Sequence, residues 1–171
     1  MINIPLNYER KSNNAKASED PVPFGRVLVV DDVDINQFVL KETLSYYGLE
    51  IDLASNGEEA VEKVKANNYD LVIMDYIMPV MNGLEAVKEI RKFADNVSIS
   101  GKNKFKELPI IAMTADTAGG IKELLVSGGY SDYISKPVDL QELIGTLRKW
   151  LKQDSANCEN SGEITRGGKN E

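Results

Sequence analysis

The sequence contains no histidine in its 171 residues. That excludes serine–histidine–aspartate and cysteine–histidine catalysis within the chain and removes the imidazole ligands of most zinc sites. It also leaves no side chain here to carry a phosphohistidine. Cysteine is nearly as scarce. Cys158 is the single one, in a polar stretch, so no internal disulfide can form and a reducing cytoplasm is the expected setting. No apolar run approaches the roughly 20 residues that cross a bilayer, and no signal-peptide pattern opens the sequence. Membrane contact is not expected. Basic charge is short as well. The 20 Lys and Arg stand against 27 Asp and Glu, a net charge of −7, which offers nucleic-acid phosphates no attractive surface.

What is present is globular: 42% of residues are hydrophobic and 27% charged. Residues 1–24 are polar and punctuated by Pro5, Pro21 and Pro23, the composition of a linker. Residues 153–171, rich in Asn, Gly, Ser and charge, read as a disordered tail. One domain is expected between them, over 25–152.

Within it, short β-branched runs alternate with helical patterns. The expected strands are Arg26–Val30, Glu50–Ser55, Leu71–Asp75, Pro109–Thr114 and Tyr130–Ser135. Between them Ala60, Val61 and Val64 share one helical face, as do Gly83, Val87, Ile90 and Ala94. After the last strand Leu140, Leu143, Ile144, Leu147 and Leu151 form the clearest apolar stripe, with Asp139 placed to cap it. Five strand–helix repeats with near-continuous apolar strands imply an α/β fold, a five-stranded parallel sheet covered on both sides. Right-handed crossovers make a doubly wound sheet the economical topology.

In such sheets sites form beyond the carboxyl ends of the strands. The first strand delivers Asp31 and Asp32, the third ends at Asp75, the fourth at Thr114, and the fifth leads to Lys136. Three carboxylates at one rim repel each other unless something positive joins them, and a hard divalent cation prefers oxygen ligands. A carboxylate beside such a cation can act as a nucleophile towards phosphorus. Phosphoryl transfer then needs its equatorial oxygens neutralised, which the cation, Lys136 and the Thr114 hydroxyl would share.

The segments "VLVVDDVDIN", "LVIMDYIMPVMNGLEAVKEIR", "PIIAMTA" and "SDYISKPVDLQEL" resemble, in order and spacing, the receiver domain of two-component response regulators, over about Gly25 to Leu151. The resemblance implies a flavodoxin-like fold with strand order 2-1-3-4-5. It assigns Asp75 as phospho-acceptor, with a metal shell of Asp31, Asp32, Asp75 and the backbone carbonyl of Ile77, filled by Mg²⁺ or alternatively Mn²⁺. Thr114 and Lys136 would bind the phosphoryl group, Thr114 and Tyr133 would form a switch pair, and the Lys136–Pro137 bond would be cis. The implied function is a phosphorylation-controlled signalling switch. A histidine kinase or histidine phosphotransfer protein would supply the phosphoryl group, and the face made by the fourth predicted helix, fifth strand and fifth predicted helix would pass the signal on. The only catalysis implied for this chain is its own phosphorylation and dephosphorylation, and a monomer is the expected state. "DDVDIN", "MPVMNGLEA" and "SKPVDLQEL" resemble the receivers of hybrid histidine kinases and phosphorelays. "INIPL" near the start is similar to the closing strand of a kinase ATPase domain, as if the chain were a segment of a larger kinase.

Departures and plainer readings stand beside this. Asp95–Leu108 is longer than the usual connection before the fourth strand and is expected to form a surface loop. Gly119 and Gly120 fall where the fourth helix should begin and should loosen it. Ile77 offers no polar side chain to orient an attacking water, so self-dephosphorylation should be slow. Asp34, rather than the acid pair, is the expected cap of the first helix. Tyr133 also reads as a packing aromatic, the methionines as core and loop filler, and Trp150 as a helix anchor. Two rivals remain. "DVDI" resembles the opening of haloacid-dehalogenase-type phosphatases, although their nucleophile ends the first strand. A flavin-binding flavodoxin would share the topology, but its first loop must hold a phosphate that Asp31 and Asp32 repel.

Overall fold

Strand β1 (Arg26–Val30) buries Val27, Leu28, Val29 and Val30 completely. Successive strand side chains point to opposite faces, so complete burial of all four requires cover on both sides. The computed structural model, which describes residues 22–96, 104–116 and 120–151, supplies that cover. Strands β3 (Leu71–Asp75) and β4 (Ile110–Thr114) are buried along their whole length, whereas β2 (Glu50–Ala54) and β5 (Asp132–Ser135) are partly open edges. All pair in parallel in the order β2-β1-β3-β4-β5. The register sets Asp75 opposite Met113 and Thr114 opposite Ser135, which brings the strand tips to one rim.

Helices α1 (Asp34–Tyr46) and α6 (Leu140–Trp150) cover the face bearing Val27, Val29, Ile73 and Met113. On the other side α2 (Gly57–Ala66), α3 (Gly83–Asn96) and α5 (Ile121–Ser127) cover Leu28, Val30, Met74 and Ala112. The doubly wound sheet is therefore the observed fold. The stripes on α2 and α3 are buried as expected, and so are Leu143, Ile144 and Leu147 on α6 with Leu151 just past its end; Leu140, in the first turn of α6, is instead exposed. Caps follow side-chain chemistry. Asn56 accepts from Glu59 N–H, and Asp139 from Gln141 and Glu142 N–H. Asn82 and Glu85 each accept the other's backbone N–H in a reciprocal capping box.

Several expectations are corrected. Ser55, Pro109, Tyr130 and Ser131 lie outside the strands: proline has no N–H for a ladder, and Tyr130 N–H closes the end of α5 on Leu125 O. Asp34 does not cap α1. It is the first helical residue, Val33 holds the cap position without a side-chain bond, and Asp31 accepts the Val33 N–H instead. The stretch from Asp95 is not simply loop. Asp95 and Asn96 finish α3, and a short helix α4 (Lys104–Glu107) packs Phe105 edge-on to Phe93 at 5.2 Å. The fourth predicted helix is thus α5 and the fifth is α6. Gly120 begins α5 at φ 101° with no side-chain cap, and the helix runs for only 7 residues. Gly119, Cys158 and nearly all of the expected linker and tail lie outside the described residues.

Candidate functional site

Asp75 ends β3 and is 7% exposed. The loop after it is pinned at several points. Tyr76 N–H donates to Met113 O, Gly83 N–H to Tyr76 O, and Gly57 N–H to Met81 O. A Cβ on Gly83 would collide with the Asp75 carbonyl oxygen and the Tyr130 hydroxyl, so only glycine lets α3 start this close to the end of β3. Between Pro79 and Met81 the chain makes a three-residue turn closed by Met81 N–H on Pro79 O at 2.9 Å, with Val80 held at φ 70°.

From β1, Asp31 is wholly buried and Asp32 is exposed. Asp31 Oδ1 accepts from Val33 N–H at 2.9 Å, and the Asn36 amide contacts Oδ1 at 3.1 Å and Oδ2 at 3.2 Å. Lys136, brought over from β5, donates to Asp31 Oδ2 at 3.1 Å and Asp75 Oδ2 at 2.6 Å. Its own N–H bonds Thr114 O at 2.7 Å, and the Lys136–Pro137 peptide is cis. One carboxylate oxygen from each of Asp31, Asp32 and Asp75 lies within 4.8 Å of the others. Three hard oxygen donors so close, two of them buried, form a ligand set that suits Mg²⁺ or Mn²⁺ and not a soft metal.

Electrostatics agree with an acid-rich seat. Burial pushes the Asp75 carboxyl above its ordinary value, against the downward pull of Lys136. Burial alone would lower Lys136, but the hydrogen bond and charge of Asp75, with the charge of Asp31, outweigh it and raise the ammonium. Lys136 stays charged, and Asp75 is the strained partner.

Thr114 is buried at the neighbouring strand end, where its hydroxyl oxygen accepts from Asp116 N–H at 3.1 Å. Ile77 N–H reaches Asp75 Oδ1 at 3.3 Å while its side chain is exposed. Tyr133 is half-buried and packs on the core beneath α2, α3 and α5. Asp31, Asp32, Asp75 and Lys136 thus come together directly, with Ile77 touching through its backbone. Sequence reasoning overlooked Asn36, Gln37, Gly83 and Tyr130. The signal for the first two was two consecutive amides one helical turn beyond an acid pair. Nothing in the sequence indicated that the Tyr130 hydroxyl would be buried with no partner among the described residues.

Comparison with known proteins places this geometry. The family model described as the response regulator receiver domain matches residues 27–148. The chain is 34% identical over 165 residues to Histidine kinase 5 of Arabidopsis thaliana, covering 86% of this chain and 18% of that protein. It is 36% identical over 125 residues to Hybrid signal transduction histidine kinase M of Dictyostelium discoideum, covering 72% of this chain and 5% of that protein. It therefore spans less than a fifth of these curated relatives. Among solved structures, the receiver domain of Ssk1 crystallised with the histidine phosphotransfer protein Ypd1 of Saccharomyces cerevisiae matches with TM-score 0.68 and 33% identity, over 76% of this chain and 90% of that one. The receiver domain of sensor histidine kinase PA1611 from Pseudomonas aeruginosa matches with TM-score 0.63 and 32% identity, over 74% of this chain and 97% of that one; it carries a magnesium ion in its active-site cleft. The phosphatase alternative finds no support, since the buried acceptor candidate ends the third strand and not the first. The chain belongs to the response regulator receiver domain family.

Proposed function

We propose that this domain is a signalling switch that accepts a phosphoryl group on Asp75 from the phosphohistidine of a partner kinase or phosphotransfer protein. The observation that carries the reading is the position of Lys136, which bonds Asp75 and Asp31 together beside the exposed Asp32. A carboxylate oxygen of Asp75 attacks phosphorus, and the N–P bond breaks with its electrons returning to the partner's imidazole nitrogen. The ammonium of Lys136 is placed to follow the charge onto the transferred group, and the Thr114 hydroxyl and Ile77 N–H lie at the same rim. Asp31, Asp32, Asp75 and the Ile77 carbonyl are the residues we assign to Mg²⁺, which when bound neutralises phosphoryl oxygens.

The rim itself supports docking of a histidine-bearing surface. Ile35 and Phe38 near the start of α1, and Ile77 and Val80 on the β3–α3 loop, expose apolar side chains on the segments that follow the strand tips bearing the acids. The Ssk1 receiver in its complex with Ypd1 is a precedent for such a partner. Phosphorylation adds roughly two negative charges. Thr114 and Tyr133 are the residues we assign to the response, and the α5–β5–α6 face to the output. The similarity to hybrid kinases supports a segment of a larger sensor kinase. The cytoplasm is the compartment we assign; no helix among the described residues is long and apolar enough to cross a membrane.

Incubation with Mg²⁺ and acetyl phosphate, followed by intact-mass analysis, tests the reading. Wild type should gain one phosphoryl group and Asp75→Ala none. Equal labelling of both would overturn it.

A further inference from the structure

We propose that two consecutive amides of α1, Asn36 and Gln37, form a two-point clamp that positions Asp31 for a divalent cation. The inference rests on the metal-assisted switch above and adds the residues that hold its cation seat in shape.

Gln37 holds the main chain. Its Nε2 donates to Asp31 O at 2.7 Å and to Ala54 O at 2.9 Å, with Ser55 Oγ at 3.3 Å. Ala54 O also accepts Asp31 N–H at 3.1 Å, the last rung between β1 and β2. Beyond that rung β2 ends and the chain turns away towards Asn56, so the Asp31 carbonyl has no ladder partner. Gln37 supplies the missing rung from the helix side. It is 7% exposed and lies on the face that also buries Leu40 and Leu44. A buried helix position flanked by leucines ordinarily favours an apolar residue, because an amide there costs desolvation unless fully bonded. The nitrogen of this amide is bonded to Asp31 O, just past the strand that carries the acid pair, and to Ala54 O on its neighbour.

Asn36 holds the side chain. Its amide contacts both oxygens of the buried Asp31 carboxylate, and Val33 N–H meets Oδ1. The remaining donor, Lys136, is shared with Asp75 and lies closer to it. A phosphoryl group on Asp75 draws that ammonium away. Asp31 would then be a buried anion with one charged donor fewer, and only Asn36 and Val33 N–H would keep its orientation. Asn36 is therefore the side-chain donor that, with the Val33 N–H, fixes the seat in both states of the switch. Neither amide touches the reacting atoms; both are positioning residues.

The test is Mg²⁺ titration of the full chain by isothermal calorimetry for wild type, Asn36→Ala, Asn36→Ser and Gln37→Met, with metal-free melting and circular dichroism alongside. Losing an outer partner of a ligand costs about 10–100-fold in metal affinity, so Asn36→Ala and Gln37→Met should each weaken Mg²⁺ about tenfold or more. Asn36→Ser, which keeps one donor, should recover part of the loss. A merely structural role would lower the melting temperature and leave the Mg²⁺ dissociation constant alone. Should Gln37→Met fail to fold, the half-buried Asn36 variants decide the matter. Variants that bind Mg²⁺ as tightly as wild type overturn the clamp and leave the switch standing. A wild type that binds no Mg²⁺ overturns both.

Discussion

Lys136 Nζ stands 2.6 Å from Asp75 Oδ2 although 61 positions separate the two in the chain. The same ammonium also serves the buried Asp31, with Asp32 alongside, so one cation faces three acids. Asp75 bears the imbalance, its carboxyl raised by burial. A folded-state value above the unfolded one means the native state binds the proton more tightly. The contribution to stability therefore falls as pH rises from the unfolded value through the folded one, and stays lost at neutral pH. Asp75→Asn should raise the unfolding free energy of the metal-free protein at pH 7, read from urea denaturation, by on the order of 1 kcal/mol. The gain should shrink in acid, where the wild-type carboxyl is protonated in both states. Added Mg²⁺ should stabilise wild type far more than the variant. A metal-free variant less stable than wild type at pH 7 would contradict this account.

The strand tips were legible because their chemistry conflicts with their surroundings. An acid pair after "VLVV" and an acid after "LVIM" are anomalies at the ends of buried strands, and parallel topology places such ends together. Residues that act by packing left weaker traces. Gly83 matters through a backbone approach to Asp75 that no periodicity encodes. Asp34 looked like a cap by composition, yet Asp31 takes the loop N–H from within the site. Phe105 and Arg91 turn an apparent loop into packed structure through contacts between distant positions, which local patterns do not reveal.

Val80 shows strain that can be measured. It sits at φ 70°, a region that a β-branched residue rarely occupies, and its side chain is 78% exposed, so packing does not compensate. Glycine there gives up almost no contact and removes the steric cost, though it adds freedom to the unfolded chain. Val80→Gly should stabilise the domain by about 0.5–1 kcal/mol in urea denaturation. Destabilisation would mean that the loop relies on the valine side chain.

Arg91 is a larger commitment. From α3 it donates through Nε and Nη2 to Gly129 O at 3.1 and 3.0 Å, and through Nη1 to Phe105 O at 2.9 Å. Burial lowers its pKa, yet the guanidinium stays charged at neutral pH. It ties the α5–β5 turn to α4, so removal strands carbonyls on both. Arg91→Ala should cost about 2–3 kcal/mol. Arg91→Lys should recover less than half, because one ammonium lacks the fork that spans the two segments. Denaturant midpoints, with hydrogen exchange at Phe105 and Gly129, would check both claims.

Ile77 bears on how long the switch stays on. Its N–H bonds Asp75 Oδ1 while its side chain is exposed and carries no polar group to hold an attacking water. Ile77→Asn supplies an amide there and should shorten the aspartyl-phosphate lifetime several-fold. The decay of acetyl-phosphate-labelled protein, followed by intact mass, measures it. A variant lifetime equal to or longer than that of wild type would remove Ile77 from the account.

Far from the rim, Asp132 provides a pH probe independent of the acids at the site. It ties the start of β5 to the end of α6, accepting from Lys149 Nζ at 2.6 Å and Trp150 Nε1 at 2.9 Å. Burial alone would raise its carboxyl, but the hydrogen bonds from Lys149 and Trp150, with Tyr133 N–H and the lysine charge, bring it below the ordinary 3.8. With the folded value the lower one, this contribution is fully present above the unfolded value and is lost as pH falls through the folded value. Asp132→Asn should therefore be less stable than wild type at pH 7, with the gap narrowing below about pH 4, where the wild-type carboxylate begins to take up its proton. Trp150, the only tryptophan in the chain, donates directly to this carboxylate, so its fluorescence reports both the urea transition and the local titration. A gap that stayed constant into strong acid would show that Asp132 holds the helix by shape and not by charge.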